Sequence, residues 1–223
     1  MNIAERLHEI KRSLPSKLTL VVVSKKQPIS AIEVAHAAGQ RDFGENYIQE
    51  MLEKYERLPK DIRWHMIGKV QRNKLKYIAP FVHLIQGIEK LSHLETLDKE
   101  AMRCGRTIRC LLQVKIAQEE SKTGMTAMEA SEILTSETYI RMEHVKVIGL
   151  IGMATFTEDE HQLHAEFKSL HKLFIQLKEK DPTLETLSMG MSSDHQTAIA
   201  CGSTMIRLGS AIFGARDYRT HSF

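Results

Sequence analysis

The stretch Leu18-Thr-Leu-Val-Val-Val-Ser24-Lys25 decides the reading of the whole chain. Its apolar, β-branched run stops abruptly at Ser24, Lys25 and Lys26, as a strand buried on both faces of a parallel sheet does. A lysine at the exit of such a strand is either a solvated charge or an amine held in a pocket. A desolvated amine can act as a nucleophile or form a Schiff base. On Lys25 alone the solvated charge is favoured, so the rest of the chain has to build a site around it.

Upstream, Ile3, Leu7, Ile10 and Leu14 recur at helical spacing and predict an N-terminal helix over 1–15, closed by Pro15 and packed on the domain. Downstream, Pro28 opens a helix that Gly39 ends. Strand candidates then follow at 40–44, 62–67, 81–86, 107–116, 145–151, 184–189 and 205–208. Helical stripes lie between them at 45–57, 70–78, 88–104, 127–138, 160–180 and 194–200. Eight strands alternating with helices predict a parallel sheet, closed as a single (β/α)8 TIM-type barrel spanning 1–223.

Composition narrows the function classes. A hydrophobic share of 42% supplies a core, while a net charge of only +3 argues against a strong nucleic-acid binder. No apolar run has the length of a membrane span, and the N-terminus lacks a signal-peptide core, so a cytoplasmic protein is expected. Cys104, Cys110 and Cys201 show no Cys-x-x-Cys spacing, which suits buried reduced thiols.

Barrels of this kind gather functional groups at the C-terminal ends of their strands. That rule selects Lys25, then Asn46 and His65, Ser188–Ser192, and Arg207 to Ser210. Loops after the last two strands are the usual phosphate position. Ser193-Asp-His-Gln196 has capping-box spacing, and the helix it opens would favour an anion, although capping without a ligand is also reasonable. Because the last strand closes on the first, a phosphate there would share a pocket with Lys25. Pyridoxal phosphate needs that pairing of amine and anion site.

At these residues the chain closely resembles the YggS/PROSC family of pyridoxal phosphate homeostasis proteins. The carriers are Val-Val-Ser24-Lys25, Asp42-Phe-Gly-Glu-Asn46, Trp64-His-Met-Ile-Gly68, Glu120-Ser-Lys-Thr-Gly124, Ser188-Met-Gly-Met-Ser192 and the run Arg207 to Arg216. The resemblance implies a fold like the alanine racemase N-terminal domain and an internal aldimine between Lys25 and pyridoxal phosphate. It implies Ser192, Gly209 and Ser210 on the phosphate, Arg207 facing the pyridine nitrogen, and Asn46 and His65 lining the pocket. Lys122 matches a lysine of the family's Glu-Ser-Lys-x-Gly loop. The chain departs from the family at Gln27, where a second lysine is usual, and at Ser210, where threonine is common.

A guanidinium facing the ring nitrogen disfavours its protonation and makes the cofactor a poor electron sink. Racemisation would want a second base, which alanine racemase draws from a further domain, and the chain ends soon after the last strand. The leading expectation is therefore a carrier that stores, buffers or delivers pyridoxal phosphate, as a monomer, with apoenzymes as candidate partners. The alternatives are an amino-acid racemase using Lys25 as one base, and a sugar-phosphate enzyme using Lys25 as a Schiff-base amine.

Other motifs carry less. His161, His164 and His171 read as a solvated helix face rather than a metal site, and no metal is expected. Lys69, Arg72, Lys74 and Lys76 read as a solvated basic helix. Contiguous Ser193-Asp194-His195 cannot converge as a catalytic triad.

Overall fold

A computed structural model describes residues 1–119 and 121–214. Its eight strands are β1 (Thr19–Val23), β2 (Asp42–Glu45), β3 (Arg63–Met66), β4 (Leu84–Ile88), β5 (Ile108–Gln113), β6 (Val145–Ile151), β7 (Thr186–Ser188) and β8 (Met205–Leu208). They pair in parallel and in sequence order, and β8 closes on β1 with Thr19 opposite Met205 and Val22 opposite Leu208. The expected barrel is present.

Helix α1 (Ile3–Ser13) precedes β1, with a full capping box between Asn2 and Glu5. It buries Leu7, and Arg6 Nε donates to the Ile212 carbonyl at 2.7 Å, tying the start of the chain to its last described helix. The crossovers carry α2 (Ile29–Ala37), α3 (Ile48–Arg57), α4 (Leu75–Ile78), α5 (Leu91–Arg103), α6 (Ala127–Thr135), α7 (Glu137–Ile140), α8 (Glu160–Lys180) and α9 (His195–Ala200), and α10 (Ser210–Phe213) follows β8. The single helix expected over 127–138 is two, because the Ser136 hydroxyl accepts from the Tyr139 amide and starts α7 afresh.

Alternation along the strands separates two cores. Leu20, Val22, Phe43, Trp64 and Met66 point outward into the larger cluster beneath the helices. Val21, Leu84, Leu111, Ile148, Ile151 and Met205 form the smaller cluster that fills the barrel interior. Ile148 and Ile151 share that interior although three residues apart, because a β-bulge in β6 matches Cys110 to Val147 but Leu111 to Gly149. A similar shift in β4 matches Ile85 to Cys110 but Ile88 to Leu112, so Gln86 and Gly87 sit within the irregularity.

Candidate functional site

Lys25 lies just past β1, on the parity of Val21 and Val23, and is half-buried. The turn that holds it is gripped on both sides. The Ser24 carbonyl accepts from the Gln27 amide at 3.0 Å and from Lys54 Nζ at 2.7 Å. On the other flank, the Lys26 amide donates to the Glu50 carboxylate. Lys26 has φ 61°, and among the described residues it is the one non-glycine with positive φ. Such strained backbone persists where its surroundings over-determine it, and it clusters at functional sites.

Those surroundings are a buried ionic network. Lys54, on α3, also donates to Glu45 Oε1 at 2.8 Å and Glu50 Oε1 at 2.7 Å, and the Ser24 hydroxyl donates to Glu45 Oε1 at 2.6 Å. Burial pushes the Glu45 carboxyl up to about 7, against the pull of the Lys54 charge. Its second oxygen is buried with no partner among the described residues. Sequence reading missed Lys54, whose i,i+4 spacing from Glu50 looks like an ordinary exposed helix pair.

Arg207 projects from β8 into the barrel, 4% exposed. Its guanidinium donates to Ser188 Oγ at 2.5 Å and to the Gly152 carbonyl at 3.2 Å. Neither acceptor is charged, and no carboxylate hydrogen-bonds it among the described residues. Burial lowers its pKa to about 10. Its five N–H donors meet these two acceptors among the described residues.

The exits of β1 and β8 lie against each other. A Cβ on Gly209 would stand 3.3 Å from the Val23 carbonyl oxygen, so this residue is small where the two strands meet. The amides of Ser210 and Ala211, at the start of α10, and of Ser192 and Ser193, before α9, make no described hydrogen bond. Gly190 has φ +99° and would place a Cβ 2.7 Å from that of Ala198, which holds α9 close to the turn. The expected capping box does not form. Asp194 occupies the cap position of α9, and its carboxylate turns back to the Met191 amide at 2.6 Å. Asn46 follows β2, and a Cβ on Gly68 would lie 2.3 Å from its carbonyl oxygen, so the β2 and β3 exits also touch.

The structure thus brings Lys25, Arg207, Gly209 and Ser210 to adjoining strand ends, with Asn46 on the β2 rim. It does not bring His65 to that rim. Both ring nitrogens of His65 are engaged inside the barrel, Nε2 with Asp42 Oδ1 at 3.0 Å and Nδ1 with Gln86 Nε2 at 3.1 Å. The residue lines a cavity of about 340 Å³ at the opposite, N-terminal mouth, with Asp42, Arg63, His83, Arg109 and Glu185. Candidate ligand atoms of Asp42, His65 and His83 lie within 4.8 Å of one another there. Arg63 Nε binds Asp42 Oδ1 at 2.8 Å and its Nη2 binds the other oxygen, so the cluster is an ion pair rather than an open metal site. Lys122 Nζ stands 3.8 Å from Glu119. Glu120 and Arg216 of the resemblance lie outside the described residues.

The family described as "Alanine racemase, N-terminal domain" matches residues 1–217. The chain is 36% identical over 222 residues to the pyridoxal phosphate homeostasis protein of Pasteurella multocida, covering 97% of this chain and 94% of that one. It is 39% identical over 207 residues to its Haemophilus influenzae counterpart, covering 90% and 86%. The structure of PipY from Synechococcus elongatus with pyridoxal phosphate bound superposes with a TM-score of 0.87 at 34% identity, covering 96% of this chain and 100% of that one. Alanine racemase of Clostridium difficile, at 10% identity and a TM-score of 0.80, shares the fold over 98% of this chain and 60% of its own. The chain therefore belongs to the alanine racemase N-terminal domain family, among the pyridoxal phosphate homeostasis proteins.

Proposed function

We propose that this protein binds pyridoxal phosphate at the C-terminal mouth of its barrel and serves to store, buffer or deliver it, without robust turnover. The donor set fits the group. Pyridoxal phosphate brings an aldehyde for an amine, a ring nitrogen and a phosphate dianion. Lys25 supplies the amine that anchors it covalently. Arg207 faces the ring nitrogen, and the hydroxyls and open amides around Ser192, Gly209 and Ser210 take the phosphate. Asn46 closes the β2 side. The observation that carries the reading is Arg207, a buried guanidinium held by two neutral acceptors on the strand that pairs with β1.

The residues around Lys25 argue for holding over turnover. Lys54 and Glu50 fix the turn on either side of Lys25 through the Ser24 carbonyl and the Lys26 amide. A permanent charge at the ring nitrogen keeps that nitrogen unprotonated and withholds the electron sink that broad amino-acid chemistry needs. Delivery to apoenzymes, by a monomer in the cytoplasm, completes the proposal. Titration with pyridoxal phosphate tests it: the wild type should develop a saturable visible absorption band, and Lys25→Ala should develop none. Robust racemisation of alanine that is lost in Lys25→Ala would favour the racemase instead.

A further inference from the structure

We propose that Gln86 and Ser188 are positioning residues for Arg207, setting which way its guanidinium faces. The proposal rests on the cofactor site described above. An unbroken hydrogen-bonded chain crosses the barrel interior from that site to the opposite mouth. Arg207 Nη1 donates to Ser188 Oγ at 2.5 Å, and Ser188 Oγ donates to Gln86 Oε1 at 2.8 Å. Gln86 Nε2 meets His65 Nδ1 at 3.1 Å, and His65 Nε2 meets Asp42 Oδ1 at 3.0 Å. The links come from β8, β7, β4, β3 and β2 in turn, and none of the five residues exceeds 8% exposure.

The direction of each link follows from its end. Asp42 is paired with Arg63 and is an acceptor only, so His65 Nε2 carries a proton. Gln86 presents its amide nitrogen to Nδ1, so that atom accepts. The Gln86 oxygen is then turned to Ser188 and takes its single hydroxyl proton. Ser188 is left with lone pairs alone for Arg207. All donors point the same way, from Arg207 to Asp42, and such aligned bonds reinforce one another.

Two observations separate this role from mere filling of the interior. The thread runs beside the apolar interior cluster of Val21, Leu84, Leu111, Ile148, Ile151 and Met205, and buried polar groups there are costly unless every member is satisfied. Gln86 also sits in the register shift of β4, a device that re-aims side chains. A carboxylate in place of Ser188 would orient Arg207 too, but it would cancel the charge that faces the ring nitrogen. A neutral acceptor with a fixed proton orients the cation and leaves its charge intact.

The test reads the ring nitrogen directly, by the NMR shift of bound cofactor carrying an isotope label at that atom. Gln86→Leu and Ser188→Ala are compared with wild type and with Arg207→Gln, after unfolding curves identify the folded variants. Wild type should give the unprotonated shift at neutral pH. Both positioning variants should move it toward the protonated value and weaken pyridoxal phosphate binding about tenfold, while borohydride still fixes the cofactor to the protein. If Arg207→Gln moves the signal but a folded Gln86→Leu or Ser188→Ala leaves it at the wild-type value, the positioning role is wrong. An unchanged signal in Arg207→Gln overturns the site reading itself. Ser188→Ala deletes a single atom, which keeps the test available if Gln86→Leu does not fold.

Discussion

A lysine four residues after a glutamate on a helix is ordinarily a solvated pair worth a few tenths of a kcal/mol. Lys54 differs because α3 presses it against the β1 exit, where its ammonium meets one carbonyl and two carboxylates. Removing one partner of a buried pair strands the other charge at a cost of about 3–5 kcal/mol. Lys54→Met should therefore lower stability to urea by that order and weaken cofactor binding with it, whereas Arg57→Met on the exposed side of the same helix should do neither. At the far mouth, burial lowers the His83 pKa from 6.5 to about 4. The unfolded chain then binds the proton first as the solution is acidified. Stability attributable to His83 is complete above about 6.5 and is lost as pH falls toward about 4. Melting curves across that window should fall less steeply for His83→Gln than for wild type, and parallel curves would refute the assignment.

Among the elements, runs such as Leu18–Val23 and Val145–Ile151 were legible because a strand buried on both faces leaves a continuous apolar signal. Boundaries failed where tertiary contact overrode local pattern. Phe81 looks like the start of a strand, yet its ring stacks on Tyr55 at 3.8 Å, and β4 begins only at Leu84. The strand instead runs on through Gly87, where a Cβ would lie 2.8 Å from the Gly68 oxygen, into an isoleucine that sequence reading assigned to the next helix. The bulge in β6 was equally invisible, since nothing local marks Gly149 as the residue facing the Thr186 backbone. A Cβ there would stand 1.7 Å from the Thr186 oxygen. Gly149→Ala should lose about 3 kcal/mol of stability or fail to fold, and a wild-type melting temperature would contradict this geometry.

Across the whole molecule, closure of β8 on β1 turns separated motifs into one site. Lys25 and Arg207 are 182 positions apart in sequence and two parallel-paired strands bring them to one rim. Period and strand count made that closure legible, and the resemblance named the ligand. What the sequence did not reveal is depth along the barrel axis. His65 and Arg207 both sit on interior-facing positions, but only partners show that one belongs to the N-terminal mouth and the other to the site. The central claim concerns the residue at the end of the first strand. Wild-type protein equilibrated with pyridoxal phosphate, reduced with borohydride and digested, should yield one pyridoxyl-modified peptide, with the added mass on Lys25. Modification at Lys26 or Lys54 instead, or none at any lysine, would contradict the account.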